Sequence, residues 1–482
     1  MIDLFVVIGV FGLTVQAFIG LSFFISCVLE KKRRASVVAL LQFAAMMVML
    51  AVFIFFAMTD FFHTFMGKSI LVFAYACLIP ALVLLLRRSG QNFSALEGTK
   101  GLIVGEVKQH DEREIVFARN RSLPQDSEQF EIFYWDHPEY KEYDEKRRQM
   151  GGPLGRIGTI DNPNADINNA MMFASLNMPA YLGDPSITHP DRHPALQNKL
   201  GNDKIQLSAN EATRRIKGYA KRLGASLVGI TELNPLWMYS HRGEIFRENW
   251  DDWGKKINVD HKYVIVVAEE MDFDLVGTAP HTPTSIESMF NYAKGAFIST
   301  QLASFIANLG YSATANHFRH YDGLMVPLAV DAGLGEINRM GYLMTKELGP
   351  RVRLSAVTTD LTLVLDKPVD IGIKHFCDVC KKCAVCCPSK SISDGEQTEI
   401  NGSMRWKLNA ETCFEYWGKI GTDCNRCMMT CPWSHARTFP HRLIVFLITR
   451  NKLARIIFSF MDDLFYGRLP KSKKGPDWTS YK

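Results

Sequence analysis

The chain is 482 residues long, 47% hydrophobic and 22% charged, with a formal net charge of +5. That length holds more than one domain, and so small and dispersed a charge leaves no basic footprint for nucleic acid. Nine of the eleven cysteines fall in the last quarter at short, repeated spacings, which argues against a disulfide-rich secreted domain.

The first elements are three apolar runs. Leu4 to Leu29, Ala35 to Thr59 and Ser69 to Leu86 carry no charge, and each is near the roughly 20 apolar residues that cross a bilayer core. Residues 1–90 are therefore expected to form a membrane anchor of three transmembrane helices. Met1-Ile2-Asp3 lacks the basic start of a cleaved signal peptide, and no twin-arginine pair precedes the run. Lys31, Lys32, Arg33 and Arg34 follow the first run, and Arg87 and Arg88 the third, whereas the other side offers Lys68. The positive-inside rule then places the N-terminus outside and everything after the third helix in the cytoplasm, at the inner membrane. No histidine pair suited to haem lies in the spans, since His63 falls in a loop.

From about residue 91 the composition is that of a soluble α/β domain, expected to run over 91–370. Residues 91–200 are rich in Pro, Asp, Asn and Arg and read as loops and short elements packed on a core. Glu211 to Leu223 has helical amphipathic spacing, Ser226 to Ile230 and Tyr263 to Ala268 read as buried strands, and Ser288 to Leu309 as a long helix stopped by Gly310. This alternation of helix and strand predicts an α/β sandwich. Neither a G-x-G-x-x-G after a strand nor a P-loop is present, so no nicotinamide or ATP site of its own is expected.

The cysteines come next, in 371–440. They form Cys377-x2-Cys380-x2-Cys383-x3-Cys387-Pro388 and the echo Cys413-x10-Cys424-x2-Cys427-x3-Cys431-Pro432. In bacterial ferredoxin spacing three close cysteines serve one 4Fe-4S cluster and the fourth, before proline, serves the other. The sets are then Cys377, Cys380, Cys383 and Cys431 for one cluster, and Cys413, Cys424, Cys427 and Cys387 for the second. A zinc site seldom shows such runs. Cys386 is left over and reads as a bystander. Residues 441–482 are expected to be a C-terminal segment packed on the core.

The segments Leu309-Gly310-Tyr311, Val326-Pro327-Leu328-Ala329, Asp331-Ala332-Gly333-Leu334-Gly335-Glu336, Gly349-Pro350-Arg351-Val352-Arg353 and Thr359-Asp360-Leu361 lead into these runs, and Ser459-Phe460-Met461-Asp462-Asp463-Leu464-Phe465-Tyr466-Gly467 closes the chain. Over roughly residues 105–470 this order resembles the catalytic subunit of the corrinoid-dependent reductive dehalogenases. The resemblance implies a nitroreductase-like α/β core holding a base-off cobalamin, and a ferredoxin-like domain with two clusters that feeds it electrons. The D-x-H-x-x-G cobalamin motif is absent, as in that family. Two features depart from the family: its export signal is missing, and three spans similar to its separate anchor subunit are fused in front.

The resemblance also implies site residues. The family's proton-donating tyrosine corresponds to Tyr292, its basic partner to Arg353 or Arg351, and a polar residue that holds water to Asn316. A phenol with a pKa of about 10 becomes a competent acid only when a cation stabilises the phenolate left behind, and an arginine supplies that charge. Arg351 and Arg353 alternate as in a strand and so are expected to point the same way, with Glu336 or Asp360 as alternative partners. Tyr311 reads as a packing residue. Trp237, Trp250, Trp253 and Trp433 are candidates to line an apolar pocket, Trp433 being assigned to cofactor contact and core packing the default for the others.

The expected activity is reductive dehalogenation of a small organohalide, with quinol or a soluble reductase as electron donor, no nucleic-acid partner, and a homodimer as one possible assembly. Two alternatives stand beside it. An epoxyqueuosine reductase-like tRNA-modification enzyme would have a basic RNA-binding face and no spans; a membrane-bound electron-transfer module would have no use for Tyr292 and its arginines.

Overall fold

The computed structural model describes residues 2–151, 160, 165–182, 204–245, 252–318 and 320–480. Trp250 lies outside them. The chain divides into two units: Met1–Gln91 with Ile371–Cys380 and His435–Lys473, and Asn92–Asp370 with Lys381–Ser434 and Lys474–Lys482.

In the first unit the apolar runs form the helices Ile2–Leu29, Arg33–Met58 and Phe65–Leu86, each long and apolar enough to cross a membrane. Large apolar side chains cover their outward surface, with Phe11, Phe55 and Phe73 all more than half exposed. A water-facing surface of that kind is unstable, whereas lipid tails match it. Thr64 caps the third helix by accepting a hydrogen bond from Gly67 N at 3.1 Å.

The C-terminal segment is divided between the units. Phe439–Arg450 and Lys452–Tyr466 form a helical pair in the same unit as the spans, and only Lys474–Lys482 joins the second unit. Asn451 Nδ2, at the turn between this pair, donates to Leu84 O at 2.7 Å and Arg87 O at 2.6 Å, the end of the third span. Arg34 donates to Leu464 O near the C-terminal end of the second helix of the pair, where a cation meets the negative pole of the helix dipole. The physical reason is amphipathicity: the pair buries Ala454, Ser459 and Phe465 but leaves Phe446, Ile456 and Phe460 exposed on its other face.

The second unit is built on a four-stranded sheet in the order Leu227–Glu232, Tyr263–Glu270, Val352–Thr359, Ala313–Asn316. Every neighbouring pair is antiparallel. The strand Tyr263–Glu270 is buried on both faces, which explains its unbroken apolar run. Ile265 and Val267 join Ile216, Ile298, Leu302 and Val357 on one side; Val264, Val266 and Ala268 meet Leu328, Ala329 and Ala356 on the other. Ile216 comes from the helix Ala209–Leu223 and Ile298 from the long helix Thr282–Asn308, which starts a turn and a half before the expected boundary because Pro283 fits its first turn. Tyr311 packs against this first core.

Residues of odd number in Val352–Thr359 therefore face the long helix. Glu269 and Arg353 are register partners, and so both belong to that side. Gly295 allows the close approach: a Cβ there would stand 3.2 Å from Ser355 Cβ and 3.4 Å from the Glu269 carboxyl carbon. Short helices Glu128–Asp136 and Pro138–Gln149 and the helix Ala165–Leu182, which packs on the long helix, complete the described part of the 91–200 region.

The two cysteine runs fold alike. A residue with positive φ, Lys381 or Asn425, precedes a five-residue helix, Lys382–Cys386 or Arg426–Thr430, and each helix ends at a Cys-Pro pair. The two helices pack against each other.

Candidate active site

Tyr292 lies on the sheet-facing side of the long helix, one turn after Ser288. Its ring stacks on Phe318, with centroids 4.6 Å apart, and the Arg353 guanidinium sits 5.2 Å over its centre. Among the described residues the Tyr292 hydroxyl has no hydrogen-bond partner. Neighbouring Tyr321 differs, since its hydroxyl is held by Leu354 O at 2.8 Å. Arg121 is a second cation whose charge acts on Tyr292; it is itself paired with Glu244 at 3.8 Å.

Arg353 is held in place from the cysteine loop. Its Nη2 donates to Ser288 Oγ at 2.8 Å and lies 3.6 Å from Asp423 Oδ2. Asp423 in turn accepts from Ser285 Oγ at 2.9 Å and from Asn425 Nδ2 at 2.8 Å, and Asn425 also donates to Ser288 Oγ at 2.9 Å. Burial alone would lower the pKa of Arg353, but Tyr292 and Asp423 outweigh it and raise the pKa above the ordinary value. The guanidinium is thus a fixed cation. Its Nε is buried without a hydrogen-bond partner.

Arg351 goes elsewhere. It precedes the strand, and its guanidinium donates to Met271 O, to Ser434 O at 2.9 Å and to Glu270 at 3.3 Å. The two arginines therefore take different partners, Glu270 and Asp423, in place of Glu336 or Asp360. Gly349, at φ +60, lies so close to Trp433 that a Cβ would stand 2.1 Å from its carbonyl oxygen. Trp433 and Arg351 together seat the turn after the last cysteine on the catalytic strand.

Asn316 is fully buried at the end of its strand, accepting from Asp322 N at 2.8 Å, so its side chain fastens the turn to Asp322. Trp237 donates to Thr99 Oγ1 at 2.9 Å inside the second core, and Trp253 packs on Phe133. Neither is among the residues that touch Tyr292 or Arg353.

Four of the ligand candidates converge within the second unit. Burial first, then the charge of Cys387, pushes the Cys413 thiol up to about 11; burial with Cys413, Asp423 and Cys387 nearby takes Cys424 to about 12. Cys427 rises further, for burial and for the crowding of Cys424, Cys413, Cys383 and Cys387. Thiols that raise one another in this way need a shared cation to become thiolates, which is the property of a cluster or metal ligand set. Of the other set, Cys377 and Cys380 lie on the helix Ile373–Cys380 of the first unit, and Cys383 and Cys431 belong to the second.

Sequence reasoning missed Asp423, Ser288, Asn425, Arg121 and Tyr342. The Tyr342 hydroxyl, raised by burial first, feels Cys427 and Cys413 on one hand and Arg353 and Tyr292 on the other. Further buried polar atoms without partners are Asn169 Oδ1 and Nδ2, Asn291 Oδ1 and Glu269 Oε2. Buried polar atoms of this kind are ones that a ligand's polar groups would satisfy.

No family model matches the chain. It is 32% identical over 277 residues to the tetrachloroethene reductive dehalogenase of Desulfitobacterium hafniense, covering 48% of this chain and 50% of that one. To the tetrachloroethene reductive dehalogenase of Sulfurospirillum multivorans it is 28% identical over 426 residues, 78% of this chain and 83% of the relative. The chain is similar to reductive dehalogenases over most of its length. A solved reductive dehalogenase, reported to suggest a mechanism for B12-dependent dehalogenation, superposes with a TM-score of 0.59 at 25% identity, covering 79% of this chain and 49% of the other. The chain thus spans about half the length of the first relative and of the solved structure.

Proposed function

We propose that this chain is a membrane-anchored reductive dehalogenase that replaces a carbon-halogen bond of a small organohalide by carbon-hydrogen. The balance is two electrons and one proton taken up, and one halide ion released. The observation that carries this reading is the Tyr292, Arg353 and Asp423 constellation, because one loop supplies both Asp423 and the adjacent ligand candidate Cys424.

We read the core as a nitroreductase-like, corrinoid-binding domain and the cysteine segment as a ferredoxin-like domain with two 4Fe-4S clusters. Cys387, Cys413, Cys424 and Cys427 hold the cluster beside the site, and the spacing assigns Cys377, Cys380, Cys383 and Cys431 to the other. A bound cobalamin would supply the bond-breaking redox chemistry. The protein supplies the rest. Tyr292 holds the proton at its hydroxyl and delivers it to the carbon that loses halide. Arg353 over the ring stabilises the phenolate that remains, while Asp423 and Ser288 keep the guanidinium in register. Phe318, stacked on the ring, limits its rotation and keeps water from one face. Trp433 and Arg351 position the cluster loop, and Asn316 the turn behind it.

The three apolar helices support a membrane location for this chemistry. The basic residues Lys31 to Arg34, Arg87 and Arg88 favour a cytoplasmic catalytic side at the inner membrane, with quinol or a soluble reductase as electron donor. The epoxyqueuosine reductase-like reading is disfavoured by those spans and by the small net charge. The decisive test is turnover of a brominated phenol and a chlorinated ethene by full-length protein loaded with cobalamin and clusters, driven by a chemical reductant. Dehalogenated product with one halide released per event is expected. No product from either substrate would overturn the reading.

A further inference from the structure

A second cluster of ligating side chains lies away from Tyr292, within the unit that holds the spans. Glu30, the residue directly after the first span, is 2% exposed. Its Oε1 lies 3.4 Å from His441 Nδ1 and its Oε2 3.5 Å from His435 Nδ1. All three ligand atoms fall within 4.8 Å of one another.

The far side of each ring is anchored. His435 Nε2 meets Asp462 Oδ1 at 2.7 Å, and His441 Nε2 meets the Tyr466 hydroxyl at 3.1 Å. The rings stack 4.8 Å apart, so both present Nδ1 to the same carboxylate. An outer partner on one imidazole nitrogen that aims the other inward is the usual support of a metal ligand.

The inner contacts are loose. Charge-assisted hydrogen bonds run to about 2.7–2.9 Å, shorter than either histidine-to-Glu30 distance. Glu30 Oε2 is buried with no hydrogen-bond partner, and Oε1 has a long one from Ser26 Oγ at 3.4 Å. Thr438 Oγ1, 2.8 Å from His441 Nδ1, holds the contact that a cation would take over. The long inner distances leave the three ligand atoms gathered around one point without a close contact between them.

We propose that Glu30, His435 and His441 form a metal site free of sulfur that takes a zinc-like divalent cation. Two imidazoles and a carboxylate suit zinc, with bonds of about 2.0–2.2 Å, and the fourth position is open to water. The ion would tie the end of the first span to the helices Phe439–Arg450 and Lys452–Tyr466. This assignment is independent of the dehalogenase reading.

The test uses full-length, cluster-loaded protein in detergent, equilibrated with zinc sulfate, desalted, and measured for zinc and iron by mass spectrometry and for its zinc shell by X-ray absorption. About one zinc per chain is expected, with nitrogen and oxygen at about 2.0–2.1 Å and no sulfur at about 2.3 Å. Glu30→Gln and His441→Gln should each lose most of that zinc while iron content stays unchanged. A sulfur shell would mean zinc in vacated cluster cysteines, and would overturn the proposal. So would an iron-replete protein that retains no zinc, or variants that keep it. If a variant loses iron as well, the shell of the unmodified protein decides the matter by itself.

Discussion

The Asp423 carboxylate lies 3.6 Å from the Arg353 guanidinium, and the residue after Asp423 is the ligand candidate Cys424. One loop therefore both presents a thiol to a cluster and fixes the cation over Tyr292. Any displacement of the cysteine loop is transmitted to the charge that the phenol experiences.

The pair has a measurable coupling. Arg353→Met leaves a buried carboxyl with only the neutral partners Ser285, Ser288 and Asn425, and removing one member of a buried ion pair costs about 3–5 kcal/mol. Adding Asp423→Asn should recover part of that loss while dehalogenation stays impaired. Thermal unfolding of both single variants and the double variant in detergent checks this. Losses that simply add would show that the two groups do not interact.

Arg351→Met should separate stability from chemistry in the opposite sense. Its guanidinium satisfies the carbonyls of Met271 and Ser434, and each buried acceptor left bare costs about 1–3 kcal/mol. Melting temperature should fall, whereas the turnover of protein that remains folded should suffer less than in Arg353→Met. Equal losses of turnover per folded molecule would place Arg351 at the reacting centre.

Glu269 gives a pH signature. Burial, opposed by Ser355 and Lys294, raises its carboxyl from the ordinary 4.5 to about 8. Between these values the unfolded chain has released the proton and the folded one retains it, so stability falls as pH rises through that window and levels off above it. Glu269→Gln removes the group and should flatten that fall. Melting curves of the two proteins from about pH 5 to about pH 9 should diverge in favour of the variant as pH rises. Parallel curves would contradict a buried, proton-holding Glu269.

Cluster assignment predicts unequal neighbours. Cys387→Ser should damage the cluster that depends on Cys413, Cys424 and Cys427, and lower iron from about eight towards about four per chain. Cys386→Ser should leave iron unchanged. About four irons in the fully loaded, unmodified protein would refute the two-cluster assignment.

The parts legible in the sequence were those written locally. Spans, strand runs and cysteine spacings are patterns within a few residues, and they reappear as helices, buried strands and paired Cys-Pro turns. Tyr292 and Arg353 came from resemblance, because a tyrosine and an arginine announce nothing by spacing. Asp423, Ser288 and Arg121 were not legible at all, since their meaning arises where the long helix, the strand Val352–Thr359 and the second cysteine loop pack together. The separate partners of Arg351 and Arg353 were not legible for a related reason: Arg351 stands before the strand begins and meets Met271 and Ser434, whereas Arg353 meets Ser288.

The central claim is that Tyr292 delivers the proton. Its most direct test is single-turnover product formation by Tyr292→Phe, loaded with cobalamin and clusters and supplied with a chemical reductant, on a brominated phenol and a chlorinated ethene. Cofactor content should match the unmodified protein, with product formation slowed about 100-fold to 10,000-fold, the usual contribution of general acid catalysis. Near-normal rates on every substrate that the unmodified protein converts would contradict the account and remove Tyr292 from the mechanism.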